Sequence, residues 1–142
     1  MKNIRTLALA LALIKNEKNQ FFLQEGFDSI KKEKFYRPLG GGIEFGEFGE
    51  QALKREFLEE INEEIAVGEL LKVFENIFTF EGTAGHEVVL IYSSKFIKQE
   101  NCNKEFDINE DGQIVGKAVW KSISKIKEEN SILYPLGLES II

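Results

Sequence analysis

Residues 47–64 carry the strongest secondary-structure signal in the chain, because helix formers dominate this segment and no Gly or Pro follows Gly49. At 100° per residue, the segment forms an amphipathic helix with two opposed faces. The face predicted to join the core consists of Leu53, Phe57, Leu58 and Ile61. The opposite face consists of Glu56, Glu59, Glu60 and Glu63. Any fold of this chain must therefore bury one side of a helix whose other side is a row of carboxylates.

These carboxylates repel one another, because residues three and four apart are neighbours on a helix. For two charges about 5 Å apart at an effective dielectric constant of 20, Coulomb's law gives about 3 kcal/mol of repulsion. A bound divalent cation would relieve it, and oxygen ligands suit Mg²⁺, Mn²⁺ or Ca²⁺ better than zinc. The alternative is a solvated acidic face, which is the commoner explanation of a charge run.

The composition restricts the chemistry further. The segment 44–64 holds eight Glu and two basic residues, so it accounts for the net charge of −6 of the 142-residue chain. This acidity disfavours nucleic acid as a partner, because phosphate contacts need Lys and Arg. With one Cys and one His, the chain has no internal disulfide and no Cys-based or multi-His metal site. No P-loop motif is present.

The apolar run 7–14 alternates Leu and Ala, which predicts a β-strand buried on both faces. A signal-peptide core is the alternative, but the run is too short to span a bilayer. We therefore expect one domain over residues 1–142, located in the cytoplasm, with no membrane partner.

The remaining pattern predicts a mixed α/β domain. The first strand, residues 5–14, is expected to pair as a hairpin with a second strand at 20–25. Further strands are expected at 34–39, 70–80, 87–97 and 114–120, a short helix at 122–129, and polar loops at 26–33 and 101–112.

Three consecutive glycines, Gly40, Gly41 and Gly42, precede the acidic helix. Such a loop lets the backbone approach a ligand closely, although a glycine-rich turn alone is a weak signal. Basic residues stand just upstream of it, at Lys31, Lys32, Lys34 and Arg37. Basic residues beside a carboxylate cluster suit a metal-bound phosphate anhydride.

Together the loop and the helix resemble the Nudix box, G-x5-E-x7-R-E-U-x-E-E-x-G-U, over residues 41–63. The matching positions are Gly41, Glu47, Arg55, Glu56, Phe57, Glu59 and Glu60. Asn62 stands where the family has Gly, and Glu63 where it has an aliphatic residue. Asn62 can replace the glycine as a left-handed cap, or the helix can continue to Ile65.

The resemblance implies an α/β/α sandwich around a mixed sheet with a catalytic loop-helix. It implies hydrolysis of a nucleoside diphosphate linked to another moiety, with Mg²⁺ or Mn²⁺ as cofactor. The implied metal ligands are Gly40 (by its carbonyl), Glu56, Glu59 and Glu60. The implied catalytic residues are Glu47, Arg55, Glu59 and Glu60. We further expect Arg37, Gly41 and Gly42 to belong to the cofactor-binding site.

Several points stay open at this stage. A further carboxylate from outside the box has three candidates, Glu87, Glu110 and Asp111. Three aromatic residues are candidates for stacking on a base, although core packing is the commoner role: Phe78, Phe80 and Trp120. The expected partner is a nucleotide or nucleotide sugar, and a homodimer is compatible with the resemblance. The alternative function is a Nudix-fold module that binds a nucleotide without cleaving it.

Overall fold

The structure, a computed structural model, describes residues 4–142 as nine strands and two α-helices. The strands are β1 (Leu7–Leu13), β2 (Phe21–Asp28), β3 (Glu33–Pro38), β4 (Gly40–Gly42), β5 (Ile65–Phe80), β6 (Thr83–Phe96), β7 (Phe106–Glu110), β8 (Gln113–Lys121) and β9 (Ile132–Leu133). The helices are α1 (Gly49–Ile61) and α2 (Ile123–Glu128), with 3-10 turns at Gln99–Asn103 and Leu138–Ile141. The expected mixed α/β class is confirmed, and the strands are divided between two sheets.

The first sheet has the order β4-β1-β6-β5 and is organised around β1, which runs parallel to β6 and antiparallel to β4. The Leu–Ala alternation of β1 explains its central position, since Ala10 and Ala12 join the core beneath α1. Leu9 and Leu11 point to the opposite side and join a second core. Both faces of the middle of the strand are buried, as the sequence predicts.

The second sheet has the order β7-β8-β2-β3-β9. Strand β2 pairs antiparallel with both β3 and β8, and β9 adds to β3 in parallel. Phe22 of β2 joins this sheet to the core beneath α1, because its ring packs against Phe57 and Trp120 at centroid distances of 6.3 Å and 5.1 Å.

The predicted hairpin of the first two strands forms only at its turn. Lys15 pairs antiparallel with Phe21, and the Phe22 N–H donates to the Ile14 carbonyl at 3.0 Å, but β1 and β2 themselves belong to different sheets. The turn between them is fixed by Asn16, whose side chain is buried. Its Oδ1 accepts hydrogen bonds from the backbone N–H groups of Lys18 and Gln20, each at 3.0 Å. Its Nδ2 donates to the carbonyl of Cys102 at 3.0 Å. These bonds hold the turn against a distant segment of the chain.

The two predicted polar loops are partly regular structure. Strand β2 continues to Asp28, and the segment 101–112 contains the end of a 3-10 turn and all of β7. Here Ile108 is buried and Phe106 packs on Phe96 with ring centroids 6.1 Å apart. Two inward apolar residues are sufficient to place a mostly polar strand at the edge of a sheet.

Helix α1 packs against β1 and β4 of the first sheet and against β7 of the second. It ends at Ile61, and Asn62 adopts the left-handed conformation with φ 54° and ψ 41°. The expected Asn cap is thereby confirmed, and the helix does not continue to Ile65. Leu58, expected in the core, is exposed, because the sheets cover a narrower arc of the helix than the apolar residues span.

Within residues 4–142, no helix combines the length and the apolar composition that crossing a membrane requires.

Candidate active site

Arg55, on the exposed side of α1, forms a bidentate ion pair with Glu47 of the loop that precedes the helix. Its Nε and Nη2 donate to the two carboxylate oxygens of Glu47 at 2.9 Å and 3.0 Å. The Glu47 carboxylate also accepts the backbone N–H of Glu44 at 3.1 Å. These bonds, the Arg55 contact above all, lower the pKa of Glu47 to about 2. Glu47 is therefore a fixed anion at any pH near neutrality.

The same guanidinium contacts two carboxylates of the helix and one carbonyl of the glycine loop. Its Nη1 lies 2.9 Å from Glu56 Oε1 and 3.3 Å from Glu59 Oε2. Its Nη2 donates to the carbonyl oxygen of Gly42 at 2.9 Å. Hydrogen bonding to Glu47, followed by Glu56, raises the pKa of Arg55. One side chain thus fixes the glycine loop relative to the carboxylates.

Glu60 is buried, which the helical pattern does not predict, since the residue lies on the acidic face. Burial raises its pKa to about 9, and the hydrogen bond and charge of Glu56 act in the same direction. The charge of Arg37 opposes this rise, and that of Glu110 adds to it. Without a cation, the Glu60 carboxyl therefore favours its protonated form at neutral pH.

The glycine loop supplies the space that the carboxylates occupy. A Cβ on Gly41 would lie 2.4 Å from the Glu56 carboxyl carbon, so a side chain there would displace the carboxylate. A Cβ on Gly40 would lie 2.0 Å from the backbone oxygen of Ala10, so this glycine allows β4 to approach β1. Gly42 has room for a methyl group and contributes its carbonyl to Arg55.

The donor atoms around Glu56 and Glu60 fit a divalent cation of the Mg²⁺ type, which prefers carboxylate and carbonyl oxygens. The supporting observation is the buried Glu60 carboxyl next to Glu56, whose carboxylate lies where a side chain on Gly41 would be. Across residues 4–142, no three His, Cys, Asp or Glu side chains are already gathered closely enough to hold a metal. Binding would thus require a local adjustment, for example of the exposed Glu59 side chain.

The three candidate carboxylates outside the box lie in different places. Glu110 ends β7 and is near enough to Glu60 to affect its pKa. Asp111 is an exposed turn residue with φ 49°. Glu87 lies on β6, where burial raises its pKa and Arg37 opposes the rise. Among the three, Glu110 is the one whose charge reaches the buried carboxylate of α1.

A cleft of about 320 Å³ opens between the two sheets beside Arg37. Its walls include Gln24, Phe35, Arg37, Asn76, Phe78 and Glu87. Phe80 also lines it, whereas Trp120 lies in the core and donates its Nε1 hydrogen to the carbonyls of Asn101 and Lys104. Four of the lining residues, Arg37, Phe78, Phe80 and Glu87, are candidates from the sequence, but the sequence analysis does not predict that they line one cleft.

Comparison with known proteins supports the same family. A family model described as NUDIX domain matches residues 5–135. A NUDIX hydrolase from Nitrosomonas europaea superposes with a TM-score of 0.66 and 18% identity, over 96% of this chain and 86% of that one. A MutT protein from Methanosarcina mazei Go1 superposes with a TM-score of 0.59 and 18% identity, over 90% of this chain and 85% of that one.

A structure described as a UDP-X diphosphatase superposes with a TM-score of 0.57 and 18% identity, over 87% of this chain but 54% of that one. Among curated protein sequences, none matches this chain significantly. At these identities the structural likeness establishes the fold, and the family model establishes the membership. The chain belongs to the Nudix domain family.

Proposed function

We propose that the protein is a divalent-metal-dependent pyrophosphohydrolase that cleaves the pyrophosphate bond of a nucleoside diphosphate linked to another moiety. The observation that carries the proposal is the Glu56–Glu60 pair, in which the buried Glu60 carboxyl lies beside a second carboxylate that is packed against Gly41 of the glycine loop. Such a pair is costly for folding. A cation bound between these carboxylates in place of the Glu60 proton would turn this cost into a binding site.

Glu56 and Glu60, together with Glu59 and the Gly40 carbonyl, are the proposed metal ligands. Bound there, Mg²⁺ or Mn²⁺ would neutralise phosphate charge and lower the pKa of the attacking water. The same set of residues explains the glycine loop, since a side chain on Gly41 would displace Glu56. The ion would also offset part of the negative charge concentrated at residues 44–64.

Arg55 and Glu47 hold this arrangement in position. The guanidinium fixes Glu56 and Glu59 from one side and the Gly42 carbonyl from the other. Because Glu47 stays ionised, it stabilises the positive charge of Arg55. This ion pair also holds the guanidinium in place, so that it does not move to contact the substrate phosphates. We therefore assign both residues the task of orienting the carboxylates.

Glu59 and Arg37 are the groups available to the substrate. Glu59 has a side chain 59% exposed, so its carboxylate can accept the proton of the attacking water. Arg37 lies within electrostatic reach of both Glu60 and Glu87, which places a positive charge between the carboxylates and the cleft. A guanidinium in this place suits a substrate phosphate. Nucleoside triphosphates, nucleotide sugars and dinucleoside polyphosphates all remain within this proposal.

The test is a phosphate-release screen over a nucleotide panel with Mg²⁺ and with Mn²⁺, using product analysis to identify the bond that is cut. Glu60→Gln and Glu56→Gln should each reduce turnover by orders of magnitude. The matched control is Glu50→Gln, which removes an exposed carboxylate of the same helix that pairs with Lys54.

Full activity of Glu60→Gln would contradict the assignment of this residue. Nucleotide binding without release of any phosphate, in the presence of either cation, would contradict the hydrolase and identify a binding module.

A further inference from the structure

Glu63, the last residue of the predicted acidic face, lies just beyond the end of α1 and is mostly shielded from solvent, with a side chain 14% exposed. Its Oε2 accepts a hydrogen bond from Asn101 Nδ2 at 2.9 Å, and its Oε1 lies 3.7 Å from Lys98 Nζ. Its backbone N–H donates to the carbonyl of Phe57 at 3.5 Å, inside the helix. Glu63 is therefore attached to the helix by its backbone and to a distant segment by its carboxylate.

Asn101, the partner of Glu63, is a fixed point of the surrounding structure. It is 1% exposed and belongs to the 3-10 turn that follows β6. Its carbonyl accepts the Nε1 hydrogen of Trp120 at 3.2 Å, which ties the turn to β8. The neighbouring carbonyl, that of Cys102, accepts a hydrogen bond from Asn16 Nδ2 at 3.0 Å. The Glu63–Asn101 hydrogen bond thus joins the end of α1 to a turn that both sheets hold in place.

Strand β7 follows this turn and packs along α1, where it makes a second attachment to the last turn of the helix. Asn109 Nδ2 donates to the backbone carbonyl of Glu60 at 3.4 Å. The next residue, Glu110, is near enough for its charge to act on the Glu60 carboxyl. The turn and β7 form one continuous segment, so the contact at Glu63 and the contact at Glu60 together determine how the helix end lies against β7.

A polar pair between Glu63 and Asn101 does not give the greatest possible stability. Asn101 Oδ1 is buried and accepts no hydrogen bond from the protein within residues 4–142. Exchanging both partners of a buried hydrogen bond for apolar groups of the same shape can be nearly neutral or stabilising. The polar pair adds a defined distance and direction between two segments, which apolar contacts do not impose.

We propose that Glu63 and Asn101 are positioning residues for the metal site, and that their hydrogen bond sets the separation of Glu60 and Glu110 by fixing the last turn of α1 against β7. The inference rests on the proposed function, since Glu60 is a proposed metal ligand. Neither positioning residue touches the ion or the substrate. They act through the helix end, because the groups of a metal site must be held to within about 0.5 Å of their productive geometry.

The first test is the rise in melting temperature with Mn²⁺ concentration, measured without substrate for Glu63→Ala and Asn101→Ala. The Mn²⁺ concentration at which the rise begins reports the affinity, whereas the melting temperature without metal reports the stability. We expect each variant to need about 10- to 100-fold more Mn²⁺, the usual effect of losing a residue that orients metal ligands. The matched controls are Glu64→Ala and Asn103→Ala, exposed neighbours in the same two segments, which should need no more Mn²⁺ than the unmodified protein.

Two further variants separate a positioning role from a structural one. Glu63→Gln keeps an oxygen that accepts the Asn101 hydrogen bond, so it should retain the Mn²⁺ affinity that Glu63→Ala loses. The double variant Glu63→Ala/Asn101→Ala should lose no more affinity than the weaker single variant, because both changes remove the same hydrogen bond. Additive losses of affinity, or a lower melting temperature with unchanged affinity, would overturn the proposal. If Asn101→Ala does not fold, the comparison of Glu63→Ala with Glu63→Gln and Glu64→Ala decides.

Steady-state kinetics provide an independent measurement on the same variants. The Mn²⁺ concentration that gives half-maximal hydrolysis should rise in Glu63→Ala by the factor seen in the melts, while KM for the nucleotide at saturating Mn²⁺ stays close to that of the unmodified protein. A raised KM with an unchanged Mn²⁺ requirement would overturn the positioning role at the metal site.

Glu60→Gln distinguishes failure of this inference from failure of the proposed function. If Glu60→Gln loses both hydrolysis and the response to Mn²⁺, while Glu63→Ala keeps the Mn²⁺ affinity of the unmodified protein, the metal site stands and only the positioning role is overturned. If Mn²⁺ does not raise the melting temperature of the unmodified protein and no nucleotide is hydrolysed, the proposed function is overturned and the positioning role with it.

Discussion

Arg55 and Glu47 face each other in a two-point ion pair, with N–O distances of 2.9 Å and 3.0 Å, that joins helix α1 to the loop in front of it. Both side chains are mostly shielded from solvent. The pair spans eight residues of sequence and fixes where the Gly42 carbonyl and Glu56 lie relative to each other. It is therefore a positioning device, and its geometry matters as much as its charge.

Replacing Arg55 by Lys tests this point, because Lys keeps the charge but cannot form the two-point contact. We expect Arg55→Lys to reduce activity about 10- to 100-fold, the usual effect of losing a group that orients metal ligands. Steady-state kinetics at saturating Mg²⁺ provide the measurement. Lys54→Gln, which removes only an exposed ion pair with Glu50, is the control and should behave like the unmodified protein. Equal activity of Arg55→Lys and Lys54→Gln would show that charge alone suffices.

Glu60 should make the metal-free protein less stable as the pH rises. An ordinary Glu loses its proton near pH 4.5, whereas folded Glu60 holds it to about pH 9. Between these values the folded state binds more protons, so the free energy of unfolding falls with pH, by at most about 1.4 kcal/mol per pH unit for one proton. Urea titrations in EDTA at several pH values across this range should show that the free energy of unfolding of Glu60→Gln falls less steeply with pH.

The free energy of unfolding of Glu60→Gln should still fall somewhat with pH, since the pKa of Glu87 is raised as well. Glu50→Gln serves as the control, and its free energy of unfolding should depend on pH as that of the unmodified protein does. Identical pH dependence of the two variants would mean that Glu60 ionises normally in the folded protein. Below about pH 4.5 the opposite trend is expected. Glu47, with a pKa lowered to about 2, then loses its stabilising contact with Arg55 as it is protonated.

Gly41→Ala should weaken metal binding while leaving the fold intact. The added methyl group would lie 2.4 Å from the Glu56 carboxyl carbon, and the flexible side chain of Glu56 is what must give way. We expect the affinity for Mn²⁺ to fall at least about tenfold. The rise in melting temperature on adding Mn²⁺ reports this affinity. The control is Gly116→Ala, because a Cβ on this strand glycine would meet no atom within 4 Å, and its melting temperature should rise fully on adding Mn²⁺. If the melting temperature of Gly41→Ala rises just as much, Glu56 is not a ligand of the ion.

Asn62 offers a test of how α1 ends. Its φ of 54° lies in the left-handed region, which an alanine adopts at a cost of about 1–2 kcal/mol. Asn62→Ala should lower the free energy of unfolding by about this amount, whereas Asn62→Gly should be neutral or stabilising. Denaturant melts of both variants provide the measurement. Equal destabilisation by both would point to a side-chain contact of Asn62 instead of its backbone conformation.

The sequence predicts α1 well because the helix is local: its period, its carboxylates and its cap are all determined within 20 residues or so. The pairing of β1 is not local. It depends on β4 and β6, which follow much later in the chain and flank β1 in the first sheet. The pattern of the first two strands predicts a hairpin, and only the turn of that hairpin forms before the chain crosses between sheets.

The candidate site shows the same division. The positions of Arg55 and Glu56 follow from helical spacing, and the fixed box residues suffice to find them. The burial of Glu60 does not follow, because it depends on which strands cover the helix, and β7 was expected to be part of a loop. The cleft escapes prediction for a similar reason, since its walls come from two sheets whose arrangement is set by that crossing.

Two turns from different sheets are tied together at one end of the cleft. The carboxylate of Glu81, in the β5–β6 turn, accepts the backbone N–H of Ser29 at 2.7 Å, and Asp28 Oδ2 accepts the backbone N–H of Glu81 at 3.2 Å. Widening the cleft at this end would require breaking these hydrogen bonds. The separation of the two sheets is thus controlled by residues of two turns, and not only by the side chains that line the cleft between them.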